Sequence, residues 1–123
     1  MPVVTVDYAA GLHEADRHRM QVCMAEAVMQ AFQAPPHTVR VLTRAVDPGD
    51  VYMADGHHHF GLPVIRVEFL PGRNLDQKRA LVKALTHAAA EILNVPLERV
   101  RTILYEKARE DWARGDELVA DAP

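Results

Sequence analysis

Two prolines sit in matching phrases, Met1-Pro2-Val3-Val4 and Leu62-Pro63-Val64-Ile65, yet only one of them can become a base. A free α-amino group has a pKa near ~7.7–8.0, well below lysine. A guanidinium close by favours the neutral amine and lowers that value further. A base poised near working pH is what efficient proton transfer needs. Proline adds a ring that fixes the direction of its nitrogen. Pro2 meets these conditions once Met1 is removed, and a small residue in second place is what processing aminopeptidases accept. Pro63 cannot meet them, because its nitrogen is a tertiary amide after Leu62. Pro2 is therefore predicted to be a reagent and Pro63 its inert twin.

Cations recur at fixed places relative to these prolines. Arg73 follows Gly72 just after the second phrase, and its counterpart after the first is Leu12. Arg40 and Arg101 occupy equivalent places in the two halves. A guanidinium grips a carboxylate through two parallel hydrogen bonds, which suits a planar acid substrate.

The elements that must hold these groups are given by an ungapped repeat. At the 61-residue offset between Pro2 and Pro63, Val6 meets Val67, Tyr8 meets Phe69, Gly11 meets Gly72, Met24 meets Leu85, Pro35 meets Pro96 and Arg40 meets Arg101. This is a tandem duplication rather than a short-period solenoid. Each copy reads strand, helix, strand. The first strands alternate between two faces. Met20, Met24, Ala27 and Val28 fall at helical spacing, as do Leu81, Leu85, Ala88 and Ile92. Asn74 is the predicted N-cap of the second helix. Pro35-Pro36 and Pro96 halt the helices, and second strands are predicted at Thr38 to Ala45 and Val100 to Glu106. Parallel strands joined by a long helix cross over right-handedly. The expected fold is α+β: two tandem β-α-β units forming one four-stranded sheet with both helices on one face. Residues 2–61 are the first unit with its linker, and 62–123 the second unit with its tail. Val46 to Leu62 reads as turns with a short strand, and Gly115 to Pro123 as the segment open to disorder. One layer of helices leaves the other sheet face uncovered, so a symmetric oligomer is expected.

Bulk properties exclude several classes. The chain has 123 residues, 49% hydrophobic and 25% charged, one domain's worth of ordinary globular composition. A net charge of −3 offers no basic footprint for nucleic acid. No apolar run is long enough for a membrane span and no signal-peptide order is present, so a cytoplasmic location is expected. The single cysteine, Cys23, lies in a helical pattern and reads as a small buried hydrophobe. His57-His58-His59 do not form a metal site on their own, since neighbours on a strand alternate faces and no acidic or cysteine set accompanies them.

Met-Pro followed by a strand, Gly72-Arg73, a helix and Pro96-Leu97-Glu98-Arg99-Val100-Arg101 resembles the tautomerase superfamily. The second unit is similar to 4-oxalocrotonate tautomerase over nearly its whole length, so the chain resembles a fused form of that enzyme. Pro2, Arg40, the Met53-Ala54-Asp55-Gly56 run and Arg73 also resemble 5-carboxymethyl-2-hydroxymuconate isomerase. The resemblance implies a homotrimer, no cofactor or metal, and a small carboxylate substrate. It implies that Pro2 is the catalytic base and acid, that Arg73 reaches it from the other unit, and that Arg40 or Arg101 comes from a neighbouring subunit, Arg40 being favoured. It places Trp112 as an aromatic wall of the pocket. The reaction implied is enol–keto tautomerisation of a 2-hydroxy or 2-oxo acid. Haloacrylate dehalogenation or hydration, malonate semialdehyde decarboxylation and a non-catalytic trimeric binding role are the competing readings.

Overall fold

The computed structural model describes residues 1–57 and 61–123. Six main elements succeed one another: β1 (Val3–Ala9), α1 (Glu14–Phe32), β2 (Arg40–Val46), β3 (Val64–Phe69), α2 (Leu75–Leu93) and β4 (Arg101–Glu106). They form one sheet of order β2-β1-β3-β4. β1 runs parallel to β2, and β3 parallel to β4, while β1 and β3 meet antiparallel. The expected pair of β-α-β units is thus present. Their pseudo-twofold axis passes through the Thr5–Arg66 pair, the one pair in the β1–β3 register that the offset maps onto itself.

Strand alternation divides the sheet into two faces. Val4, Val6 and Tyr8 of β1, with Ile65, Val67 and Phe69 of β3, are buried under the helices. Met20, Met24 and Val28 of α1 and Leu81, Leu85 and Ala89 of α2 complete that core. Each fully buried Leu, Val or Met side chain here contributes about 1.5–3 kcal/mol. Cys23 is half-buried and packs against the same core.

Local punctuation sets the element ends. Asn74 caps α2 in a reciprocal box: its side chain accepts from the Gln77 amide at 2.8 Å, and the Gln77 side chain accepts from the Asn74 amide at 2.9 Å. The helices end on left-handed residues, Gln33 (φ 53°) and Asn94 (φ 55°), before the prolines are reached. Such a C-terminal twist is a helix stop in its own right, and the prolines only shape the connection to the next strand. The second strands start later than predicted. Single 3-10 turns at Pro36–Thr38 and Leu97–Arg99 occupy the first residues, the former pinned by the Thr38 hydroxyl donating to the Pro35 carbonyl at 2.7 Å. β2 therefore begins at Arg40 and β4 at Arg101.

Two sequence expectations need correction. Between β2 and β3 the described residues contain a 3-10 turn at Pro48–Asp50 but no strand. The tail is ordered: β5 (Ala113–Arg114) and β6 (Glu117–Leu118) form a tight hairpin turning at Gly115 (φ 62°). Its base is closed by the Val119 amide donating to the Trp112 carbonyl at 2.8 Å and Arg109 Nη2 donating to the Val119 carbonyl at 2.9 Å, and the Val119 side chain is buried. A two-residue hairpin sheet carries too little strand pattern to read from sequence.

The sheet's open face bears Asp7 between Arg44 and Arg66, at 2.6 Å from each guanidinium. The same face exposes Leu42, Ile103 and Tyr105. Among the described residues no helix is long and apolar enough to cross a membrane.

Candidate active site

Antiparallel pairing of Val3 with Glu68 sets the start of β1 beside the end of β3. The N-terminus of the first unit therefore meets the Pro71-Gly72-Arg73 turn of the second. Gly72 has φ 119°, a conformation that strains any L side chain. That turn sends Arg73 back over α1. Its Nη1 donates to the Phe32 carbonyl, and its guanidinium lies 4.8 Å from the centroid of the Phe32 ring. Phe32 is itself fully buried and edge-on to Phe69 with centroids 5.2 Å apart. Arg73 is thus held by two parts of one residue, a carbonyl and a ring.

Pro2 is buried, and its carbonyl accepts the Arg40 amide at 3.1 Å. The terminal amine belongs to Met1 in this structure. Burial pushes it below the usual range of an α-amine, and the positive charges of Arg73 and Arg114 push it further the same way. Sequence reasoning does not single out Arg114. It stands on β5, and its Nη2 approaches Met1 Sδ at 3.2 Å. The Gly115-Asp116 turn signal beside it marks a hairpin, but nothing in the sequence says that the hairpin returns to the chain's start.

Trp112 is half-buried at the entry to the same hairpin. With Val3, Lys107 and Asp111 it lines a shallow depression alongside the start of β1. Arg40 and Arg101 separate clearly within one chain. The Arg40 backbone pairs with Val3 and binds the Pro2 carbonyl, whereas the Arg101 amide donates to the Pro63 carbonyl at 3.3 Å, at the opposite end of the sheet. Both residues are exposed. Arg101 Nη1 donates to the Glu98 carbonyl at 2.6 Å. The structure therefore gathers Pro2, Arg73, Trp112 and the Arg40 backbone at one end, and leaves Arg101 with the inert proline. Leu12 and Pro63 line a common cavity at that second end.

The Met53-to-Gly56 run forms a turn, with the Gly56 amide donating to the Met53 carbonyl at 2.8 Å. Among the described residues no group of three or more histidine, cysteine or acidic side chains is arranged for a metal ion. His58 and His59 lie outside the described residues. The groups assembled at this end are a terminal amine held below its usual range and guanidinium groups of the kind that bind an anion.

Comparison with known proteins agrees with this arrangement. A family model described as tautomerase enzyme matches residues 63–122. A probable tautomerase of Halalkalibacterium halodurans is 33% identical over 60 residues, which cover 49% of this chain and 98% of that protein. A 2-hydroxymuconate tautomerase of Pseudomonas putida is 34% identical over 59 residues, covering 48% of this chain and 94% of that protein. Both relatives are the length of a single unit. The double unit is matched by a fused 4-OT solved as a symmetric trimer, 26% identical with a TM-score of 0.88, covering 98% of this chain and 97% of that one. The similarity to single-unit tautomerases and the two-unit match to fused 4-OT together show that the chain belongs to the tautomerase superfamily, as a fused 4-OT-like member.

Proposed function

We propose that the protein is a cofactor-free tautomerase of 2-hydroxy and 2-oxo carboxylic acids, acting through the nitrogen of Pro2 after removal of Met1. The observation that carries this reading is the partly buried Met1 amine, whose burial and whose neighbours Arg73 and Arg114 all favour the neutral form. Removing Met1 shifts the amine one residue inward, to a position already buried.

In the proposed cycle the Pro2 nitrogen accepts the hydroxyl proton of an enol acid. The electron pair left on oxygen delocalises to carbon, giving an enolate. Arg73 holds a carboxylate, and Arg40, supplied by a neighbouring chain or its own, steadies the enolate oxygen. Protonated Pro2 then delivers the proton to carbon and is neutral again, so no net proton or electron is consumed. Trp112 forms an apolar wall that excludes water and strengthens the nearby charges. A homotrimer covers the open sheet face, as the trimeric fused 4-OT neighbour suggests.

The test is turnover of 2-hydroxymuconate and phenylenolpyruvate, followed by ultraviolet absorbance, in protein whose intact mass shows Met1 absent. Pro2→Ala is expected to lower the rate by about 10²-fold or more, the contribution of a positioned acid–base group. Equal turnover in that variant removes the assignment of Pro2, and absence of turnover in the parent protein favours a binding protein that only keeps the fold.

A further inference from the structure

The duplication leaves a second cleft, at the inert proline, and the structure shows what became of it. Its lining is the image of the Pro2 site under the repeat offset. Pro63 stands for Pro2, Gly11 for Gly72, Leu12 for Arg73, Leu93 for Phe32 and Val95 for Ala34. The backbone of the site is preserved: Gly11 has φ 113° and Gly72 φ 119°. The cleft also remains open, with a volume of about 590 Å³, in the range of small-molecule sites.

The chemistry differs in two ways. The base is gone, because the Pro63 nitrogen is an amide. The cation is moved, not lost. Leu12 has replaced the arginine after the glycine, and Arg99 has appeared where the first unit has Thr38. Arg99 is half-buried and is the one charged residue that lines the cleft among the described residues. Around it the walls are aliphatic, with Val51 and Leu62 joining Leu12 and Leu93. Among the described residues the cleft offers one guanidinium and an otherwise apolar lining, which favours an amphiphile with one negative end. A dicarboxylate would leave its second charge against aliphatic walls, a desolvation cost with no partner.

We propose that this second cleft binds a small apolar monocarboxylate, its carboxylate on Arg99 and its hydrocarbon tail against Leu12, Leu62 and Leu93, without turning it over. The inference is independent of the activity assigned to Pro2, since it rests on the cavity and its lining alone. It gives each chain two anion sites, one that reacts and one that only holds.

The experiment is calorimetric titration of the full-length protein with 4-phenylbutyrate, and with the neutral 4-phenylbutanamide as its uncharged isostere. The Arg73→Ala variant, weakened at the first site, is expected to retain one 4-phenylbutyrate per chain. Arg99→Met is expected to weaken that binding about tenfold or more, and to remove the preference for the acid over the amide. Leu12→Trp, which fills the cleft, is expected to abolish it. Far-ultraviolet circular dichroism and thermal melting check that each variant is folded. Loss of all binding in Arg73→Ala overturns the proposal, because the only acid site is then the Pro2 site or the second cleft is filled by another copy of the chain. Unchanged affinity and stoichiometry in folded Arg99→Met and Leu12→Trp overturn it equally.

Discussion

Arg73 and Phe32 are joined twice, through a hydrogen bond from the guanidinium to the Phe32 carbonyl and through a cation–ring contact of 4.8 Å. The pair links the two repeats, for Phe32 ends α1 of the first and Arg73 opens the helix of the second. Phe32→Leu, which makes the residue match its repeat counterpart Leu93, removes the ring and keeps the carbonyl. A cation–π contact of about 0.5–1 kcal/mol predicts a two- to fivefold rise in KM with little change in kcat. Steady-state kinetics on an enol acid decide it, and an unaltered KM shows that the ring does not position the arginine.

Arg73→Ala should raise KM well beyond the effect of Phe32→Leu, because it removes the carboxylate's partner rather than that partner's support. Of the two strand arginines, Arg40 lies with Pro2 and Arg101 with Pro63. Arg40→Ala is expected to lower kcat/KM about tenfold or more, a loss of ~1.4 kcal/mol, and Arg101→Ala to do less. The reverse order would show that the site is completed by Arg101 from a neighbouring chain.

Turnover should rise with pH along a limb set by the amine, since only its neutral form accepts a proton. Burial, Arg73 and Arg114 all hold the Met1 amine low, and the Pro2 amine freed by processing is expected to keep the same neighbours. Removing a positive neighbour makes protonation easier and raises the pKa. Arg114→Ala should therefore shift the ascending limb of the kcat/KM profile to higher pH while the plateau is largely kept. A profile that does not move argues that the hairpin arginine acts only on Met1 before processing.

Asp7 supplies a stability prediction on the open face. Hydrogen bonding to Arg44, outweighing the opposing cost of burial and reinforced by Arg66, holds its carboxyl below the ordinary carboxylate range. A carboxyl with a lowered folded pKa stabilises the fold above its unfolded pKa, and that contribution is lost as pH falls through the folded value. Asp7→Asn should cost about 1 kcal/mol near neutrality, less than the roughly 1.5–3 kcal/mol of a hydrogen bond to a charged group because both guanidiniums are solvent-exposed and screened. The gap between variant and parent should close on acidification. Melting temperatures of both across the acidic range test it, and a gap independent of pH would mean that the ion pairs contribute little.

Much of this molecule is readable because the repeat doubles every signal. Val6 and Val67, or Met24 and Leu85, state the same strand and helix twice, and the unbroken offset fixes where the second copy starts. Arg73 against Leu12 is legible for the same reason, as a difference between otherwise matching phrases. What has no second copy is hidden. The tail hairpin lies past the point where the first unit gives way to its linker, so neither its order nor the approach of Arg114 to Met1 could be inferred. The late starts of β2 and β4 depend on the turns after Pro35 and Pro96, and propensity alone runs those residues into the strands. Arg99 is a third case. Its neighbours Val100 and Arg101 draw attention to the motif, while its place in the second cleft emerges only once the sheet brings Gly11 and Pro63 together.

The pseudo-twofold through Thr5 and Arg66 has a consequence for engineering. A circular permutant that joins the old termini and opens the chain between Leu62 and Pro63 would exchange the two nitrogens' roles without altering one side chain. The newly liberated secondary amine would face Leu12 and Arg99, while Arg73 would look upon an amide. On the proposed function, where the ribosome starts reading, as much as which residues it reads, would decide which end of this sheet carries the basic nitrogen.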